Sequence, residues 1–200
     1  MSPTIDYYLS PQSPWTYLGH ERFAEIARAS GATVNVLPVD LGRVFPVSGG
    51  LPLAKRAPQR QDYRLVELKR WSEYLGRPLN LKPSFFPVAS DDAAKLIIAV
   101  DVTDGTDASM KIAGRILRGV WVEQRNIADP AVLQAMLEEA GLAARRLDDS
   151  QSQAVHERYD ADSQRAIEAG VFGAPSYMLD GELFWGQDRL DFLERRLAAG

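Results

Sequence analysis

Residues 5–16 read IDYYLSPQSPWT and contain the strand-to-helix turn on which the fold interpretation rests. The apolar run at residues 5–9 predicts a short strand that ends at Ser10-Pro11. Ser13 followed by Pro14 is a favoured helix start, because serine caps a helix N-terminus and proline has no N–H to leave unpaired there. The free N–H groups and partial positive charge of such a terminus can stabilise an anion beside Ser13.

The rest of the chain predicts a helical segment between two groups of strands. Residues 33–39 predict a second strand, residues 45–58 a long loop rich in proline and glycine, and most of residues 59–169 helices. Strands return around Asp180-Gly181, a strong hairpin turn, and a last helix follows. The order β-α-β … β-β-α predicts an α/β thioredoxin-like fold with a large helical insertion. We expect residues 1–58 and 170–200 to form the thioredoxin-like domain and residues 59–169 an inserted helical domain.

Composition excludes several classes of function. The chain has 200 residues, a net charge of -4 and no cysteine, so it cannot form disulfides, thiolate metal sites or a dithiol redox centre. The charge gives no general attraction to nucleic acid, and no apolar run approaches the ~20 residues of a membrane span. No cluster of histidines and acids has metal-ligand spacing. The first residues lack the pattern of a signal peptide, which predicts a cytoplasmic location.

Three segments carry a resemblance to a known family. Residues 8–21 (YLSPQSPWTYLGHE), 157–169 (ERYDADSQRAIEA) and 171–190 (VFGAPSYMLDGELFWGQDRL) are similar to the 2-hydroxychromene-2-carboxylate isomerases. These belong with the kappa-class glutathione transferases and the bacterial disulfide oxidoreductases. The paired motifs around Ser13 and around residues 171–190 are more specific together than either is alone.

The resemblance implies a glutathione-dependent isomerase of aromatic catabolism that works as a homodimer on a small aromatic substrate. Glutathione would add reversibly to the substrate as a cofactor. Ser13 matches the catalytic serine that contacts the glutathione sulfur. The expected cofactor-binding residues are Lys55, Ala174, Pro175 (as a cis proline), Trp185, Gly186, Gln187 and Asp188. Phe45 stands where characterised isomerases have a lysine associated with the substrate carboxylate.

The chemistry of a thiolate site at Ser13 is also reasonable on energetic grounds. Lowering a thiol pKa from ~8.5 by about 2 units requires ~2.7 kcal/mol of preference for the thiolate. A helix N-terminus contributes ~0.3–2 kcal/mol and a hydroxyl hydrogen bond to a charged acceptor ~1.5–3 kcal/mol. Ser13 at a helix start is therefore sufficient without a general base.

Each candidate residue also has a plain structural interpretation. Ser13-Pro14 can be a simple helix cap, Pro175 an ordinary proline at a strand edge, and Asp188 an acid in a first helical turn. The cations Lys55, Arg56 and Arg60 form either a solvated loop or a carboxylate-binding cluster. The aromatic residues Trp15, Tyr17, Phe85 and Phe86 line either a substrate pocket or the core.

Two other functions stay open at this point. One is a kappa-like glutathione transferase, which would consume glutathione by conjugating it to an electrophile. The other is a non-catalytic binding module on a thioredoxin fold, in which the serine marks lost chemistry.

Overall fold

A computed structural model of the protein describes residues 2–199. One four-stranded sheet contains β1 (Thr4–Leu9), β2 (Thr33–Pro38), β3 (Ser176–Leu179) and β4 (Glu182–Trp185) in the order β2-β1-β3-β4. Strand β2 is parallel to β1, whereas β3 is antiparallel to β1 and to β4. This sheet and its connections confirm the predicted thioredoxin-like fold.

Helices surround the sheet and fill the chain between β2 and β3. They are α1 (Pro14–Ser30), α2 (Leu41–Ser48), α3 (Pro58–Leu75), α4 (Asp91–Asp104), α5 (Thr106–Trp121), α6 (Pro130–Glu139), α7 (Arg146–Asp149), α8 (Gln153–Glu168) and α9 (Leu190–Ala198). The predicted helical insertion is therefore confirmed as secondary structure, whereas its separation as a domain stays a prediction.

The predicted loop over residues 45–58 is wrong in part, because α2 extends into it and a 3-10 turn spans Leu53–Lys55. Helix α2 begins where the carboxylate of Asp40 accepts the Gly42 N–H at 2.7 Å, and it contains Pro46. The N-cap bond and the burial of Val44 stabilise this turn of helix despite the proline.

The main hydrophobic core joins the sheet to the surrounding helices. Three buried rings, Tyr7 of β1, Phe23 of α1 and Tyr177 of β3, pack with centroids 4.5–5.3 Å apart. Buried side chains of α4 and α5 continue the same core. This packing holds α1 firmly against the sheet and so positions its N-terminus. Over residues 2–199, no helix combines the length and apolarity needed to span a membrane.

Candidate functional site

Ser13 lies at the N-terminus of α1, where it makes two hydrogen bonds. Its Oγ accepts the Thr16 N–H at 3.2 Å, so Ser13 is the predicted N-cap. The Ser13 hydroxyl also donates to the carbonyl of Ala174 at 3.1 Å. This bond places the segment around Ala174 directly against the start of α1. The Ala174–Pro175 peptide bond is cis, so the expectation of a cis proline is confirmed.

A cavity of about 440 Å³ opens beside Ser13, within the usual size range of small-molecule sites. Aromatic side chains contribute much of its wall: Trp15, Phe45, Phe86, Phe172 and Trp185. Trp15 and Phe86 therefore line a pocket as one interpretation expected, whereas Tyr17 is buried and its hydroxyl donates to the Pro78 carbonyl at 2.6 Å.

Trp185 forms the rim of the cavity and depends on Gly173. The indole of Trp185 packs against Phe172 with ring centroids 4.7 Å apart. A Cβ on Gly173 would lie 2.5 Å from the indole nitrogen of Trp185, so the ring needs glycine beneath it. Half of the Trp185 surface stays exposed, which leaves the ring accessible to a ligand.

Five of the expected cofactor-binding residues do not line this cavity: Lys55, Pro175, Gly186, Gln187 and Asp188. Three of them, Gly186, Gln187 and Asp188, follow Trp185 along the chain. Gln187 is buried against Gly19 of α1, and the carboxylate of Asp188 pairs with Arg189 at 2.8 Å.

Lys55 is exposed in its 3-10 turn, while Leu53 and Arg56 on either side of it contribute to the wall of the cavity. Ser13, Ala174 and Trp185 are brought together, and the role of all these residues stays a prediction.

Gln12 fixes the turn before Ser13. Its side-chain oxygen accepts the Val88 N–H at 3.1 Å and its amide donates to Ser90 at 3.2 Å. The indole N–H of Trp121 donates to the Gln12 carbonyl at 3.3 Å. The turn at residues 10–12 is thereby tied to the segment before α4 and to the end of α5.

Arg64 of α3 is a cavity residue that sequence reasoning missed. It lies over the ring of Phe86, with its guanidinium carbon 5.0 Å from the ring centroid, and 5.8 Å from that of Trp121. A usable signal existed: Arg64 shares the helical spacing of Leu68, Trp71 and Leu75, which pack in or against the core. A cation within an apolar stripe indicates a position where a partner for the charge is expected, because charged side chains are rarely buried alone.

Two acids in the cavity wall are already engaged by the protein. Asp40 caps α2, as described above. Asp91, at the start of α4, accepts the phenol O–H of Tyr159 at 3.0 Å. Burial, together with the charge of Asp91, raises the pKa of Tyr159 well above its usual value. Tyr159 is therefore a neutral donor at the cavity wall, and it too was missed from the sequence.

His20 is a buried residue beside the core. Its Nε2 lies 2.9 Å from the Met110 carbonyl, which only accepts, so its Nδ1 accepts the Tyr7 hydroxyl at 3.0 Å. Burial lowers the pKa of His20. A broad groove of about 1000 Å³ passes this end of α1, but none of the expected glutathione residues lines it. In the described part of the chain, no group of three or more histidines or acids is arranged to hold a metal.

Comparison with known proteins agrees with this geometry. Residues 4–198 match the family described as the DSBA-like thioredoxin domain. The chain is similar to a 2-hydroxychromene-2-carboxylate isomerase of Sphingobium xenophagum, with 30% identity over 98% of this chain and 99% of the relative. It is also similar to a solved 2-hydroxychromene-2-carboxylate isomerase structure, with a TM-score of 0.82, 28% identity and coverage of 98% and 95% of the two chains. A more distant relative, glutathione S-transferase kappa 1 of Caenorhabditis elegans, is 23% identical over 96% of this chain and 89% of its own length.

Proposed function

The chain belongs to the 2-hydroxychromene-2-carboxylate isomerase family of DSBA-like thioredoxin-domain proteins, and from that premise we propose that it is a glutathione-dependent isomerase of a small aromatic substrate. The observation that carries the proposal is the position of the Ser13 hydroxyl, which lies at a helix N-terminus, against the cis-proline segment, beside an aromatic cavity. We propose further that it acts in the cytoplasm as a homodimer.

The residues at the cavity fit glutathione. Glutathione would supply the nucleophilic thiol that this cysteine-free chain lacks. The hydroxyl of Ser13 donates to the Ala174 carbonyl in this structure. Rotation about its Cβ–Oγ bond would let it donate to a thiolate instead. Ala174 would offer its backbone to the peptide beside Ser13, and Trp185 has an exposed ring. Lys55, Gly186, Gln187 and Asp188 remain proposed contacts for the rest of the tripeptide.

Ser13 would stabilise the thiolate by two effects that add together. The helix N-terminus contributes ~0.3–2 kcal/mol and the hydroxyl ~1.5–3 kcal/mol in favour of the anion. The Thr16 N–H, which Ser13 Oγ accepts, orients the hydroxyl so that its proton points away from the helix. The chain therefore holds the thiol in its reactive, ionised form without transferring a proton itself.

The aromatic walls favour a flat, apolar substrate. Trp15, Phe45 and Phe86 contribute aromatic side chains to the cavity wall, and aromatic rings pack well against an aromatic ligand. Their proximity to Ser13 would hold a substrate next to the thiolate, which is the orientation that a reversible addition needs.

The decisive experiment is an ultraviolet titration of the thiolate of bound glutathione, in the wild type and in Ser13→Ala. We expect Ser13→Ala to raise the pKa of bound glutathione and to reduce turnover of 2-hydroxychromene-2-carboxylate by about 10- to 100-fold, the equivalent of one charge-assisted hydrogen bond. Ser48→Ala is the control for loss of a serine hydroxyl, since Ser48 is exposed and does not line the cavity. S-methylglutathione controls for binding without a thiol. An unchanged thiolate absorbance in Ser13→Ala contradicts the proposed mechanism.

The similarity to a kappa-class enzyme keeps a transferase as the second candidate. The two activities differ in the fate of glutathione, which an isomerase regenerates and a transferase consumes. Measuring free glutathione before and after complete turnover separates them. If the protein binds glutathione but converts no electrophile, and Ser13→Ala leaves that binding unchanged, the binding module becomes the better interpretation.

A further inference from the structure

Arg64 has an unusual position for an arginine, since it is half-buried and has no acidic partner among residues 2–199. Its Nη2 is buried and has no hydrogen-bond partner within residues 2–199, and no ion pair with Arg64 occurs in that part of the chain. Leaving a buried charged donor unpaired costs free energy. A group with this cost is expected to have a partner that the polypeptide itself does not provide.

The neighbours of Arg64 hold its guanidinium in place without neutralising it. The rings of Phe86 and Trp121 lie against it at cation–π distances of 5.0 and 5.8 Å. The other cavity arginine, Arg56, donates its Nε–H to the Leu51 carbonyl at 2.8 Å. The nearby acids Asp40 and Asp91 accept other donors. The guanidinium of Arg64 is therefore held at the cavity wall without a protein partner among residues 2–199.

We propose that Arg64 binds the carboxylate of the aromatic substrate in the cavity beside Ser13. This inference deepens the proposed function and rests on it for the identity of the ligand. An arginine fork matches a carboxylate with two parallel hydrogen bonds, and the aromatic residues around it would contact the ring that bears the carboxylate.

Charge itself supports this assignment. Burial, together with the charge of Arg56, lowers the pKa of Arg64 to about 10, so the guanidinium stays protonated at neutral pH. A carboxylate bound there would be paired with a cation in a partly desolvated site, where such a pair is stronger than in water.

The test uses two stable ligands that differ in charge, chromone-2-carboxylate and chromone-2-carboxamide. Their affinities are measured by tryptophan fluorescence, with and without glutathione. We expect the wild type to bind the carboxylate about 10- to 100-fold more tightly than the carboxamide. Arg64→Leu should abolish that preference while leaving carboxamide affinity unchanged, and Arg64→Lys should retain part of it. Arg60→Leu is the matched control on the same helix, because Arg60 is exposed and does not line the cavity.

Several results would overturn the inference. The wild type could show no preference for the carboxylate, or bind neither chromone. Arg64→Leu could also weaken the binding of both chromones equally, which would indicate that Arg64 contributes only packing. If Arg64→Leu instead weakens the binding of glutathione but not that of its glycyl ethyl ester, Arg64 binds the glycyl carboxylate of glutathione and the substrate assignment is wrong. Arg64→Met provides a second variant if Arg64→Leu folds poorly. A wild type that discriminates the chromones but does not bind glutathione disproves the proposed function and leaves this inference intact.

Discussion

Two arginines of the helical segment, Arg64 and Arg146, are removed from water in opposite ways. Arg146 of α7 is buried, and all of its bonds go to the protein: its Nε and Nη2 donate to Asp104 at 2.5 and 2.8 Å, and its Nη1 to Asp149 at 2.7 Å. Arg64 lies at a cavity, near two aromatic rings, and forms no ion pair within the described part of the chain. The first arginine joins α7 to the end of α4, whereas the second faces the space where a ligand would bind.

The difference shows how a structural charge can be distinguished from one that is available to a ligand. Hydrogen bonding to Arg146 lowers the pKa of Asp104, because each member of the pair stabilises the charge of the other. Arg64 is destabilised by burial and gains nothing from a protein partner. A buried cation is thus expected to contribute to folding when it is paired and to binding when it is not. Stability measurements on Arg146 and Arg64 test this distinction directly, and a third measurement tests it on a buried acid, Asp162.

The largest expected effect is that of Arg146→Met. The substitution keeps much of the packing but leaves the carboxylates of Asp104 and Asp149 without their cation. We expect Tm, followed by circular dichroism, to fall by about 5–10 °C. Arg145→Met is the control, since Arg145 is its exposed neighbour. A Tm equal to that of the wild type would mean that the paired arginine does not stabilise the fold.

An intermediate effect is expected at Asp162, where burial opposes a partial ion pair. Burial raises the pKa of Asp162 to about 6, although the guanidinium of Arg158, 2.8 Å away, acts in the other direction. The folded state therefore retains a proton that the unfolded state loses, so the contribution of Asp162 to the free energy of unfolding should fall by about 1–2 kcal/mol as pH rises from about 4 to 6.

Urea titrations at several pH values measure this contribution as the difference between the profiles of the wild type and Asp162→Asn. The exposed Asp160 supplies the control Asp160→Asn. If the free energy of unfolding of the wild type instead increases relative to that of Asp162→Asn over this pH range, Arg158 dominates over burial.

The smallest effect on stability is expected for Arg64→Leu. Leucine keeps apolar contact with Phe86 and Trp121 and removes an unpaired charge, so Tm should stay unchanged or rise by up to about 4 °C. The comparison with Arg146→Met is direct, since both variants replace an arginine by an apolar residue. A decrease in Tm as large as that of Arg146→Met would place Arg64 among the structural arginines, and its carboxylate preference would then need another explanation.

The parts of the fold that were predicted correctly depend on short-range rules. The cap at Ser13, the strand before it and the Asp180-Gly181 hairpin each follow from the preferences of adjacent residues. The loop predicted over residues 45–58 was partly wrong, because burial of Val44 and the Asp40 cap favour a helix that contains Pro46. In that segment tertiary contacts overcame local preference.

The sequence by itself determined the strand-to-helix turn, the helical insertion and the absence of any thiol in the chain, because hydrogen bonding and backbone preference act between neighbours and composition needs no structure. Tertiary structure decided which side chains share the cavity. The Ser13–Ala174 bond joins residues 161 positions apart, and the pairing state of Arg64 differs from that of Arg146 only through what packs against each. Burial and partner choice are properties of the folded surroundings, so residue type and spacing cannot specify them.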